Sequence, residues 1–191
     1  MYTTFLFDLD GTLTDPKEGI INSVLYALEK IGIEEVNISE LDSFIGPPIL
    51  LENKVYDGIP TLLQELKDAG NRLFVATSKP TVFAKQVIEH FQLTSFFEEI
   101  VGSNLDGTRI KKEEIIAHIL QTNEELQKEE MVMIGDRKHD VIGANSNGIA
   151  SIGVLYGYGN ENELSDAGAS HIVKDVEELQ SFCIENSTIK L

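Results

Sequence analysis

The sequence predicts an α/β protein, a parallel sheet between two layers of helices, with a small helical insert after the first strand. Three observations point there. Short apolar runs alternate with amphipathic helical patterns along most of the 191 residues, and alternation with short connections builds βαβ units. Glycine closes several of the helical patterns, as at Gly70 and Gly148. One helical stretch, placed directly after the first apolar run, breaks the alternation.

The first strand is read at residues 3–7, Thr-Thr-Phe-Leu-Phe, before Asp8. Asp15-Pro16 then opens a helical pattern, with Ile20, Ile21, Val24, Leu25, Leu28 and Ile31 on one face before Gly32. Ser39 with Asp42 marks a second, short capped helix that ends at Gly46-Pro47-Pro48. Strand character returns only at Arg72, so residues 15–56 read as an insert and residues 1–14 and 57–191 as the core. In the core, helices are expected at 61–69, 82–91, 112–122, 141–146 and 176–183. Strands are expected at 72–76, 98–101, 131–134 and 152–155, with a weaker one at 171–173. No internal repeat or low-complexity segment interrupts them.

Composition narrows the function. With 42% hydrophobic and 25% charged residues the chain can bury one sizeable core and is too apolar for disorder. No apolar run reaches the length of a membrane span, and the first ten residues lack a basic leader, so a cytoplasmic protein without a membrane partner is expected. The formal charge of -17 argues against nucleic acid as partner, because phosphate backbones are bound by clustered Lys and Arg. An anionic ligand would need a local cation cluster or a bound metal. The single cysteine, Cys183, excludes an internal disulfide and a cysteine-based zinc site, and reads as a packing residue of the last helix.

Ligands of open parallel sheets bind beyond the carboxyl ends of the strands, and the residues there form a coherent set. The first strand ends in Asp8-Leu9-Asp10-Gly11-Thr12, the second in Thr77-Ser78-Lys79-Pro80, and the strand at Met131 in Gly135-Asp136-Arg137-Lys138-His139-Asp140. Asp8 and Asp10 would face one pocket if the extended geometry persists, and two acids so close resist ionising together. An Asx turn after a strand is the plainer reading of that pair. Thr77 and Ser78 offer hydroxyls and N–H groups near a helix start, which suits an anion, although a helix cap needs no more. Asp8 and Asp136 are hard oxygen ligands fitting Mg²⁺, and a lysine from the Lys111-Lys112 pair would supply further positive charge. Together these point to a phosphate ligand.

The run Phe7-Asp8-Leu9-Asp10-Gly11-Thr12-Leu13 resembles the first signature of the haloacid dehalogenase-like superfamily. Thr77 resembles the second, a lysine at Lys112 the third, and Gly135-Asp136 through Asp140 the fourth. Tyr56-Asp57-Gly58-Ile59-Pro60 and the stretch from Gly153 to Gly159 resemble its phosphoglycolate phosphatase-like branch. The resemblance spans nearly the whole chain and implies a Rossmann-like, three-layer core with a helical cap inserted after the first signature. By position it implies Asp8 as nucleophile and Asp10 as acid and base. It implies Mg²⁺ held by Asp8, the Asp10 carbonyl, Asp136 and Asp140, with Thr77, Ser78 and the lysine on the transferring phosphoryl group. Gly11 and Lys79 are the further substrate-contacting candidates. Lys112 matches the family spacing to the apolar helix face better than Lys111, which stays an alternative. Arg137, Lys138 and His139 are expected in a loop at the mouth, and His90, His118 and His171 in structural or surface positions.

The insert departs from that family. Only residues 47–57 separate Gly46 from Gly58, too few for the helices that complete a cap of this branch. A shortened cap would leave the site open or call for a partner chain, which makes a homodimer one expectation. The activity expected is Mg²⁺-dependent hydrolysis of a small phosphorylated metabolite such as phosphoglycolate, a nucleotide or a sugar phosphate. The alternatives are a phosphomutase of the same superfamily, or a receiver-like or vestigial phosphate-binding protein without turnover.

Overall fold

The computed structural model describes residues 1–19, 21, 25 and 53–187. Along the chain come β1 (Thr4–Phe7), β2 (Thr14–Asp15), β3 (Lys54–Val55), α1 (Ile59–Asp68), β4 (Arg72–Pro80), α2 (Thr81–His90) and β5 (Glu99–Ser103). Then follow α3 (Lys112–Thr122), β6 (Met131–Gly135), α4 (Lys138–Asn147), β7 (Ala150–Val154), α5 (Glu161–Asp166), β8 (His171–Val173) and α6 (Val176–Asn186).

Six of these strands form one parallel sheet in the order β5-β4-β1-β6-β7-β8. The order reverses at β1, and such switch points leave a crevice at the carboxyl ends of the central strands. Alternate residues of the strands enter opposite layers. Phe5, Phe7, Val75, Val132 and Ile134 pack with Leu62, Ile88 and Leu179, from α1, α2 and α6. Leu6, Phe74, Met131 and Met133 pack with Ile115, Ile119 and Ala144, from α3 and α4. Every residue of β1 and β6 is buried, which is why both read as unbroken apolar runs, and each large side chain so buried contributes about 1.5–3 kcal/mol.

The short strands β2 and β3 pair antiparallel, Thr14 opposite Val55 and Asp15 opposite Lys54. The chain leaves the core and returns to it through this pair. Residues 17–19, 21 and 25 are helical, while positions 20, 22–24 and 26–52 of the expected insert, including the Ser39–Asp42 helix, lie outside the described residues.

Several elements differ from expectation. β4 continues past Ala76 to Pro80, with its register to β5 shifting between those residues, so Thr77 and Ser78 are strand residues and α2 starts only at Thr81. α4 starts at Lys138, which puts Lys138 and His139 in a helical first turn rather than a loop. The six-residue α5 was not expected, since its only buried residue is Leu164 and one apolar position sets no period.

Candidate active site

Where β1 stops, the Asp8 N–H still donates to Ile134 O at 2.9 Å, so Asp8 stands between the ends of β4 and β6. Its Oδ1 accepts from the Leu9 N–H at 2.8 Å and lies 2.9 Å from Lys112 Nζ. The Lys112 ammonium is buried at the first residue of α3, donates to Ala76 O at 2.8 Å, and also lies 2.7 Å from Asp140 Oδ1. Burial alone would lower the Lys112 pKa, but the Asp140 and Asp8 carboxylates outweigh it and raise the value, holding the lysine charged. Lys111, by contrast, is exposed, its Nζ 4.0 Å from Glu113. The two adjacent lysines are thus separated by the helix start, one inward and one to solvent.

Asp136 and Asp140 come from the end of β6 and the first turn of α4. Asp136 is 1% exposed; its Oδ2 accepts from the Tyr158 N–H at 2.8 Å, and its Oδ1 has no partner among the described residues. Burial, with Asp8 nearby, pushes its pKa up to about 7 against the pull of the Tyr158 N–H. Asp140 accepts from the Arg137 N–H at 3.0 Å, and burial raises its pKa against the pull of Lys112. One oxygen each from Asp8, Asp136 and Asp140 lies within 4.8 Å of the others. Three carboxylates so close, one with a buried unpartnered oxygen, fit a hard divalent cation such as Mg²⁺. Gly11, at φ +83°, lets the loop pass over them, since a Cβ there would fall inside the Asp136 carboxylate.

Asp10 turns to a different partner. Its Oδ2 lies 2.8 Å from Lys79 Nζ, and its Oδ1 is buried without a partner. Burial raises the Asp10 pKa, while Lys79 pulls it down. Lys79, expected against substrate, is itself buried and spent on this ion pair; nothing in the sequence says where its Nζ goes. Thr77 is buried with its Oγ1 accepting from the Lys79 N–H at 3.3 Å, and Ser78 is exposed. Ser78 lines a cavity of about 450 Å³ with Ile110, Lys111, Lys112, Glu113, His139 and Ile142. A larger cavity of about 580 Å³, lined by Lys85, Glu89 and residues 97–100 among others, holds none of the strand-end acids. Arg137 pairs with Glu163 at 3.0 Å, and His171 stacks on Phe182. Cys183 is buried in α6.

The family model described as haloacid dehalogenase-like hydrolase matches residues 5–50 and 50–154. The chain belongs to the haloacid dehalogenase-like hydrolase family. As a member of that family it is a hydrolase of the phosphatase type. A 5'-nucleotidase of Pseudomonas aeruginosa is 45% identical over 209 positions, covering 94% of each chain. The solved structure of a predicted phosphatase from Clostridium acetobutylicum shares 45% identity at a TM-score of 0.87, covering 97% of this chain and 99% of that one. The tyrosine-protein kinase PtkA of Mycobacterium tuberculosis is 37% identical over 182 positions, 81% of this chain but 62% of the kinase. The alignment to the Pseudomonas 5'-nucleotidase is longer than the 191 residues of this chain, so that relative carries residues with no counterpart here. The break in the family match at residue 50 falls in the stretch 47–57.

Proposed function

We propose that the protein hydrolyses small phosphomonoesters through an aspartyl-phosphate on Asp8, with Mg²⁺ held by Asp8, Asp136, Asp140 and the Asp10 main-chain carbonyl. The junction at Asp8 carries this reading: one carboxylate shared between a three-acid cluster and buried Lys112, two residues from an acid held by its own lysine. A carboxylate oxygen of Asp8 attacks phosphorus, forming an O–P bond as the bond to the leaving oxygen breaks. The proton on Asp10 goes to that leaving oxygen. Asp10, now a carboxylate, takes a proton from the water that attacks the aspartyl-phosphate, which frees Asp8 and inorganic phosphate. Burial that raises the Asp10 pKa favours the acid form needed first, while Lys79 keeps the base form accessible. Thr77, the Ser78 N–H and Lys112 would bind the phosphoryl oxygens. A bound Mg²⁺ would offset the clustered carboxylates and draw charge from the phosphoryl group.

Nucleoside monophosphates stand first among the substrates, supported by the 45% identity to the Pseudomonas 5'-nucleotidase. Phosphoglycolate stands behind them, supported by phosphoglycolate phosphatases such as that of Vibrio cholerae at 24% identity. The test is phosphate release from an aryl phosphate and from a panel of nucleotides, sugar phosphates and phosphoglycolate, in Mg²⁺ or in chelator. Wild type should release phosphate only with Mg²⁺, and Asp8→Asn should release none. Equal release by the two proteins ends the assignment of Asp8.

A further inference from the structure

The run Tyr156-Gly157-Tyr158-Gly159, after β7, takes no part in the chemistry above, yet its contacts join the carboxylate cluster to the base of the insert. The Tyr158 N–H holds Asp136 Oδ2 at 2.8 Å, and the Tyr158 hydroxyl donates to Asp15 Oδ1. That same Asp15 oxygen accepts from the Lys17 N–H at 3.0 Å, at the start of helical residues 17–19. Two residues earlier, the Tyr156 hydroxyl donates to Thr12 O at 3.0 Å, and its ring meets the edge of Tyr56 at 4.9 Å. Tyr56 in turn donates its N–H to Leu13 O at 3.2 Å. The outgoing strand at Asp15 and the returning strand ahead of Tyr56 are therefore both gripped by one four-residue segment.

The segment is also locked to Asp136 from behind. A Cβ on Gly157 would fall inside the Gly11 carbonyl oxygen and the Asp136 Cβ, and one on Gly159 inside the Asp136 carbonyl oxygen. Gly157 and Gly159 thus pack directly on Asp136, and Tyr158 between them reaches Asp15.

We propose that Tyr158 is a positioning residue that couples the carboxylate cluster to the two-strand base of the insert, so that a divalent cation on Asp136 tightens the β2–β3 pair. The proposal rests on the hydrolase reading only in taking that cation as Mg²⁺. Coupling is reciprocal: a base held by Tyr158 strengthens cation binding by the same factor by which the cation steadies the base.

The experiment is amide hydrogen exchange at residues 11–15 and 53–58, with Mg²⁺ or with chelator, beside calorimetry of Mg²⁺ binding. In wild type Mg²⁺ should slow exchange there by about fivefold or more. In Tyr158→Phe, which loses one hydroxyl, Mg²⁺ should still bind but the slowing should vanish. Asp15→Ala should behave like Tyr158→Phe, and Asp15→Asn, which keeps an acceptor oxygen, should retain the slowing. A Tyr158→Phe protein whose exchange rises equally with and without Mg²⁺ has lost only a structural contact, and that outcome overturns the coupling. So does a wild type that binds Mg²⁺ with no change at β2–β3. Absence of any Mg²⁺ binding sinks both this proposal and the metal reading, whereas intact coupling in a protein that releases no phosphate sinks the hydrolase reading alone.

Discussion

Lys79 Nζ lies 2.8 Å from Asp10 Oδ2, with the lysine side chain only 5% exposed, so the acid two residues after Asp8 is held by a cation of its own. Asp8 and Asp10 thus have separate lysines, Lys112 between Asp8 and Asp140, and Lys79 on Asp10. This separation keeps Asp8 and Asp10 from competing for one partner.

Lys79→Met should therefore reduce kcat/KM by about 10- to 100-fold, less than the roughly 10²–10⁴-fold that a positioned acid–base group itself contributes, because Asp10 stays in place. Lys79 lowers the Asp10 pKa, so its loss raises that pKa. In the first half-reaction Asp10 must be protonated, and the alkaline limb of the kcat/KM profile should move to higher pH. A profile that drops in height without moving would assign Lys79 to substrate instead.

The carboxylate cluster should cost stability when no metal is bound. The Asp136 pKa is pushed up to about 7 in the folded protein, from 3.8 ordinarily. A carboxylate raised in this way destabilises the fold progressively as pH climbs from the unfolded value to the folded one, with the full cost above it. In chelator, Asp136→Asn should then raise stability by about 1–3 kcal/mol at pH 8, with the gain fading toward pH 4. Thermal unfolding with and without Mg²⁺ checks it: Mg²⁺ should raise the Tm of wild type and leave Asp136→Asn nearly unchanged.

Much of this was legible in the sequence for physical reasons. β1 and β6 are buried on both faces, so Phe5-Leu6-Phe7 and Met131 to Ile134 stand out as apolar runs, and the acids that follow them mark the strand ends. Asp8 and Asp136 follow from that placement, whereas Asp140, in the first turn of α4, is legible only through the family resemblance. The Lys79–Asp10 pair and the Tyr158–Asp15 bond did not show, because a side chain's partner across 69 or 143 positions leaves no local pattern. The two-residue strands β2 and β3 are too short to carry an alternation. The run from Tyr156 to Gly159 carries only a family resemblance in sequence, because its contact with Asp136 spans 22 positions.

Gly11 tests the fit of the loop over the cluster. Its φ of +83° costs an L-residue about 1–3 kcal/mol, and a Cβ would overlap the Asp136 carboxylate. Gly11→Ala should lower Tm and weaken Mg²⁺ binding together. Mg²⁺ affinity equal to wild type, by calorimetry, would show that Asp136 can move aside and still hold a cation.

Lys111 and Lys112 give the sharpest contrast, because they differ by one position and by everything around them. Lys112 is buried between Asp8 and Asp140, and removing one partner of a buried ion pair leaves the other charges uncompensated, at a cost of about 3–5 kcal/mol. Lys112→Met should therefore unfold at much lower denaturant and release no phosphate. Lys111 has one distant acidic neighbour in solvent, and Lys111→Met should unfold within about 0.5 kcal/mol of wild type. Because Lys111 also lines the cavity beside Ser78, its variant separates two roles. An unchanged kcat with a raised KM places Lys111 on the leaving group, while a lost kcat would move the phosphoryl-binding role from Lys112 to Lys111.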